Sequence, residues 1–255
     1  MKIFIEKDYD AMSDRALSLF LKFLPQIKIL GLATGKTPLG FYRRLVESSE
    51  KHELRWQDIR TFNLDEYFGI PPDTAESFRQ FMVENLFSKL GIPNKNTHFP
   101  PSLGDPEKAV SAYNSEIDAI GHPDFQLLGI GRNGHIAFNE PGSPRSARTR
   151  IVLLSEDTVK SNKPPTEFAI TMGLDDILKS HRVLLLASGL DKARAIASMV
   201  DGPLTYKVPA SYLQEHPECY VVLDEDAASG LDRNLITRHY RRMENFSYSE
   251  YSSDL

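Results

Sequence analysis

Five residues carry the groups best suited to moving protons or orienting groups that do. Asp65 and Glu66 are adjacent in TFNLDEYFGIP, residues 61–71, at the end of an apolar run. Asn133, His135 and Glu140 share one glycine-punctuated loop, LLGIGRNGHIAFNEPGS, residues 127–143, which also follows an apolar run. A carboxylate is ionised at neutral pH and acts as a general base when a proton lies within reach. An imidazole exchanges its proton near neutrality, and a neighbouring carboxylate orients it and stabilises its charged form. Asn133 cannot ionise and contributes only hydrogen bonds. Each feature has a plainer reading: an Asp-Glu pair often caps a helix or forms a surface ion pair, and a single loop histidine is more often structural than catalytic. The density of polar groups in one loop after a strand favours chemistry.

A third stretch, LGLATGKTPLGFY, residues 30–42, holds Gly35-Lys36-Thr37 after an apolar run. A nucleotide-binding loop of the Walker A type needs its first glycine five positions before the second. Here Gly31 precedes Gly35 by four, and Leu30 occupies the required slot. The later VVLDE, residues 221–225, looks like a Walker B strand, but apolar strands ending in Asp-Glu are common. An ATPase is therefore the weakest reading. The loop remains a candidate anion site: Thr34, Gly35, Lys36 and Thr37 lie between a strand and a helix expected from Pro38. Glycines admit close backbone approach, and a helix N-terminus favours negative charge.

These clusters must be carried by a scaffold, and the pattern predicts an α/β one. IKILGLA (27–33), FQLLGIG (125–131), HRVLLLASG (181–189) and CYVVLDE (219–225) are continuous apolar runs, and DIRTFNLDEY (58–67) holds another strand. Such runs suit strands covered on both faces. Leu17, Phe20, Leu21 and Leu24 fall at helical spacing, as do Val110, Tyr113, Ile117 and Ile120. A helix is expected from Asp191 to Val200, with Asp191 as N-cap and Gly202 past its end. The alternation predicts a Rossmann-like, open, mainly parallel sheet with helices on both faces. One domain is expected over residues 1–235, followed by a polar, loosely ordered tail at 236–255; RHYRRM (238–243) reads as a solvated helix face.

Composition bounds the partners. Net charge is −5, so no global basic field exists for nucleic acid, and an anionic substrate needs a local device. The single cysteine, Cys219, allows no intramolecular disulfide and no thiolate metal cluster. No secretory leader and no membrane-length apolar segment is read, so a cytoplasmic protein without membrane association is expected.

The chain resembles the glucosamine-6-phosphate deaminase family, also called glucosamine-6-phosphate isomerases. The matching blocks are GLATGKTPLGFY, FNLDEYFGIP, ESFRQFM, LLGIGRNGHIAFNEPGS, SARTR, AITMG, LLLASGLDKARAI and VPASYLQEHP, in order from about residue 1 to 230. NLDEY together with NGHIAFNEP is specific; the related 6-phosphogluconolactonases typically lack the Phe-Asn-Glu-Pro continuation. The resemblance implies isomerisation of an amino-sugar phosphate with release of ammonia, giving fructose 6-phosphate, with no cofactor and no metal. It makes Asp65 the base at C2, His135 the proton shuttle for ring opening, and Glu140, with Asn133, its orienting partner. It leaves Glu66 structural. Phosphate would be held by residues 34–37 and by Lys192. Lys192 carries a hint of its own: a cation in a first helical turn is disfavoured until an anion arrives, though a lysine snorkelling to solvent is as good a reading.

Two departures from the family pattern stand out. Many members carry Asp where Asn133 stands, while a branch carries Asn. Members also usually have an Ala-Asn-x-Arg-aromatic segment on a mobile lid, whose arginine binds phosphate. Here the chain runs EDTVKSNKPPTEFAITMG, shorter and without arginine. Lys163 is the possible replacement, as a point charge without Arg's bidentate fork. The alternatives are a galactosamine-6-phosphate isomerase, a 6-phosphogluconolactonase, and a sugar-phosphate-binding protein without turnover. The family includes monomers and hexamers, so a homo-oligomer is possible. Arg148 and Arg150 resemble part of its allosteric region.

Overall fold

A computed structural model describes residues 1–232; the expectations for the tail at 236–255 and for RHYRRM lie outside the described residues. Seven parallel strands form the central sheet: β1 (Lys2–Glu6), β2 (Ile29–Leu32), β3 (Arg60–Asn63), β5 (Thr97–His98), β6 (Phe125–Leu128), β9 (Val183–Ala187) and β10 (Cys219–Asp224). Their spatial order is β1-β10-β9-β6-β2-β3-β5. Every residue of β6, β9 and β10 is buried, which is why these segments read as unbroken apolar runs. The parallel α/β reading of the sequence holds.

Helices cover both faces. One core packs Phe20, Phe41, Trp56 and Phe125 beneath α1 (Tyr9–Phe23) and α2 (Leu39–His52). The other packs Tyr113, Ile117, Ile196 and Met199 from α5 (Pro106–Ile120) and α8 (Ala193–Val200) against Leu185 and Val221. Asp8 and Asp105 cap α1 and α5 by accepting main-chain N–H bonds at 2.8 and 2.9 Å.

A second, three-stranded antiparallel sheet was not read from the sequence. It orders β4 (Asp65–Tyr67), β8 (Phe168–Thr171) and β7 (Arg150–Leu153). The single strand expected in DIRTFNLDEY is in fact two, divided at Leu64. The Leu64 N–H donates to Leu32 in the parallel sheet at 3.1 Å, and its carbonyl accepts from Met172 at 2.7 Å. One residue thus hands the chain from one sheet to the other, and Asp65 is the first residue beyond that pivot.

Between these strands lie α3 (Phe78–Met82), which passes through a π-helical turn into α4 (Ser88–Leu90), α6 (Glu156–Asn162), α7 (Leu174–Leu178) and α9 (Glu225–Ala228). The helix expected from Asp191 begins differently. A 3-10 turn spans Leu190–Lys192, α8 starts at Ala193, and no side chain caps it. Asp191 is not the N-cap, because its carboxylate accepts from Arg132 Nε at 2.8 Å instead.

Candidate active site

The strand order reverses direction between β2 and β6. From β2 the chain builds outward through β3 and β5; from β6 it builds the opposite way through β9 and β10. The crevice outside the carboxyl ends of strands at such a switch point is where open α/β sheets hold ligands. A cavity of about 1020 Å³ lies there. Its wall includes Thr34, Gly35, Lys36, Thr37, Asp65, Asn133, His135 and Lys192. Four segments far apart in sequence therefore converge on one space.

The loop after β2 is shaped for a close approach. Gly35 has φ of +100°, a left-handed conformation that disfavours any side chain. Tyr9 of α1 staples the loop: its hydroxyl accepts from Gly40 N–H at 2.7 Å and lies 3.1 Å from the carbonyls of Lys36 and Thr37. Tyr42 donates to the Ala33 carbonyl at 2.6 Å. α2 begins at Leu39, one residue after the start expected at Pro38, which becomes the residue before the helix; no side chain caps that end. Lys192 lines the same cavity, and its side chain is only 20% exposed. Burial lowers its pKa, Asp191 raises it, and Arg132 lowers it further. Ser188 and Asp191 also line the cavity. The Walker-B-like VVLDE has a structural explanation: Asp224 accepts from Ser188 Oγ, from Gly189 N–H at 3.0 Å and from Ala227 N–H at 2.8 Å. It anchors the 188–192 loop and caps α9.

Asp65 lines the same cavity and is only 7% exposed. Burial, and then the Glu66 charge beside it, push its carboxyl up to about 8. Glu66 does not line the cavity. It is 1% exposed, and its oxygens accept from the N–H groups of Tyr67, Phe78 and Arg79 at 2.8–2.9 Å. Burial raises its pKa against the pull of those bonds. Glu66 therefore satisfies the first turn of α3, the structural role expected of it. Tyr67, Phe78 and Phe138 form an aromatic wall next to Asp65, with ring centroids 4.5–6.0 Å apart.

The loop after β6 is tightly folded. His135 sits over Gly131, where an added Cβ would lie 2.2 Å from the ring, so only glycine fits. His135 Nδ1 lies 3.2 Å from Glu140 Oε2, without the alignment of a directed hydrogen bond. Asn133 ties the loop to Glu140: its side-chain amide donates to Glu140 Oε2 at 2.6 Å, and its side-chain oxygen accepts from the main-chain N–H of His135 at 3.2 Å. Thr158 and Ser155, at the start of α6, donate to Glu140 Oε1 at 2.5 and 3.0 Å. Burial alone would raise the Glu140 carboxyl; His135, Thr158 and Asn133 outweigh it and hold it down at about 2. Glu140 itself lies behind His135, off the cavity wall.

Lys163, the expected lid residue, has no place near this site. It ends α6 in a left-handed conformation, exposed, and does not line the cavity. Lys160, one turn earlier, does. Arg148 pairs with Asp118 and Asp176, and Arg150 donates to Asn139 and Ser143; neither reaches the cavity. Arg132, Ser188, Lys160 and Thr158 were missed. Arg132 had a signal, since it precedes Asn133 in the loop already marked; the others depend on packing. Among the described residues no group of three His, Cys, Asp or Glu is placed to hold a metal ion, and no helix is long and apolar enough to cross a membrane.

The sequence model of the family described as glucosamine-6-phosphate isomerases/6-phosphogluconolactonase matches residues 25–221. The chain is 44% identical over 211 residues to a glucosamine-6-phosphate deaminase of Hahella chejuensis, covering 80% of this chain and 81% of that one. This chain belongs to the glucosamine-6-phosphate deaminase family. A relative of that name from Clostridioides difficile is 43% identical over 242 residues, covering 91% of this chain and 97% of its own. Among solved structures, a monomeric glucosamine-6-phosphate deaminase superposes with a TM-score of 0.87 at 37% identity, covering 90% of this chain and all of that one. In this member of the deaminase family, α6 presents Lys160 and Thr158 to the site where the sequence had pointed to Lys163.

Proposed function

We propose that the protein converts glucosamine 6-phosphate and water to fructose 6-phosphate and ammonia. The observation that carries this reading is the convergence, in one cavity, of a buried carboxyl, a carboxylate-backed histidine and a glycine-lysine anion loop. The deaminase family membership supports the same activity.

The phosphate would dock on residues 34–37 and Lys192, placing the sugar along the cavity towards Asp65. His135, held by Glu140 and Asn133, would move a proton from the anomeric hydroxyl to the ring oxygen and open the ring. Asp65 would then take the C2 proton and return it at C1, leaving an imine at C2. Water adds there and ammonia departs, so atoms balance. Each step is a proton transfer or an addition, for which acid–base side chains suffice. The raised Asp65 pKa has a function in this scheme. The carboxyl is poised near the working pH, and a sugar ammonium at C2 would favour its ionised form.

The test is stoichiometric release of ammonia and fructose 6-phosphate from glucosamine 6-phosphate, with galactosamine 6-phosphate and 6-phosphogluconolactone as competing substrates. Equal release of both products from the first, lost in Asp65→Asn, is expected. Turnover of the lactone alone would overturn the proposal.

A further inference from the structure

We infer that Arg132 is a further cationic phosphate ligand beside Lys192, held in reserve by Asp191, which the arriving phosphate displaces. The inference rests on the proposed reading of this cavity as a sugar-phosphate site and adds to it a residue and an exchange of partners.

Arg132 lies in the loop after β6 and lines the cavity. Its side chain is 66% exposed, so it is free to swing. Of its five N–H donors, only Nε–H makes a hydrogen bond to the described residues, to Asp191 Oδ2 at 2.8 Å. The two terminal nitrogens remain to present a planar fork, the geometry that matches two oxygens of one phosphate. The same Asp191 oxygen lies 3.9 Å from Lys192 Nζ. Asp191 is therefore shared between two cations that both face the cavity. Arg132 is also close enough to Lys192 to lower its pKa, which places both positive charges at one corner.

An exposed Arg–Asp pair on an open surface would be a solvated ion pair of small consequence. This pair is placed differently. A carboxylate in a phosphate site repels the ligand unless it has another task, and Asp191 has no helix to cap. Its contacts are with the two cations. A phosphate dianion carries twice the charge of a carboxylate and offers three oxygens. It would take over both partners and leave Asp191 to solvent, at 44% exposure already. The exchange favours dianions over singly charged anions, because only a stronger acceptor displaces the resident carboxylate.

The prediction has opposite signs for the two partners, which a plain ion pair does not. Arg132→Ala removes a ligand: the KM for glucosamine 6-phosphate should rise about 10- to 100-fold, with a smaller change in kcat. Arg132→Lys should recover part of that loss. Asp191→Asn removes the competitor, so phosphate should bind about threefold or more tightly. Inorganic phosphate titrated against thermal unfolding gives the same two signs without turnover. Melting of each variant in phosphate-free buffer checks that folding is intact.

If wild-type protein releases no ammonia yet phosphate protection falls in Arg132→Ala and grows in Asp191→Asn, the deaminase reading fails and the ligand assignment stands. If wild-type turns over but both variants match it in KM and in phosphate protection, the pair is a surface ion pair and the inference is overturned. Weaker phosphate binding in Asp191→Asn would also overturn it, since Asp191 would then be holding Arg132 in place for the ligand.

Discussion

Two carboxyls in one site are driven to opposite ends of the scale by their surroundings. Asp65 is buried beside Glu66 and is pushed up to about 8; Glu140, backed by His135, Thr158 and Asn133, is held at about 2. Asp65 is thus suited to exchanging a proton and Glu140 to holding a fixed negative charge. Stability follows with opposite signs. Glu140 has a depressed folded pKa, so its contribution is present above its ordinary value of 4.5 and is lost as pH falls towards 2. Asp65 has a raised folded pKa. Its ionisation destabilises the fold increasingly as pH rises from 3.8 to about 8. Asp65→Asn should therefore raise the melting temperature more at pH 9 than at pH 5, while lowering kcat by about 10²- to 10⁴-fold. A variant equally stable relative to wild type at both pH values would show that Asp65 titrates normally. The rate profile carries the same signature. The ascending limb of kcat/KM should fall near pH 8, and the limb of kcat lower, once the sugar ammonium sits beside the carboxylate.

At the scale of elements, α6 is the piece most dependent on the site it covers. It has seven residues, too few to persist alone. Its first turn is tied to Glu140 through Ser155 and Thr158. Thr158→Val keeps the shape and removes the hydroxyl that donates to a carboxylate. It should lower kcat/KM about tenfold, and amide exchange across residues 156–162 should quicken. Unchanged exchange there would mean that α6 is held by its apolar contacts instead. This dependence also explains what the sequence could reveal. The parallel strands were legible because burial on both faces leaves an unbroken apolar run, as in β9 and β10. Asp65, His135 and the 34–37 loop were legible because each follows such a strand. The small antiparallel sheet was not, because β7 has no fully buried residue, β8 begins exposed, and β4 continues β3 with one residue between. Lys160 and Thr158 were invisible for the same reason that Lys163 misled: composition shows a charge near a lid, and only the helix turn decides which one faces inward. Asp191 looked like a helix cap because of its position before an apolar helix; a contact 59 residues away in sequence took its carboxylate elsewhere.

At the scale of the molecule, the cavity has two walls of different origin. One is the rim of the parallel sheet, carrying residues 34–37, 129–135 and 188–192; the other is the small sheet with α3 and α6, carrying Asp65, Phe78 and Thr158. The walls are joined by the chain itself at Leu64 and by Ser155 and Thr158, which donate to Glu140 in the loop after β6. A ligand touching both should fasten one to the other, whereas a ligand touching one should not. Glucosamine 6-phosphate spans both in the proposed pose, and inorganic phosphate reaches only the first. In Asp65→Asn, where turnover is blocked, saturation with either ligand should slow amide exchange in residues 34–42 and 188–193. Only the sugar phosphate should also protect residues 65–67 and 156–162. At about 100 times its Kd the sugar phosphate should stabilise the protein by about 2.7 kcal/mol, a rise of several degrees in Tm. Protection of both walls by inorganic phosphate alone would show that they already move as one body, and that closure on the sugar plays no part.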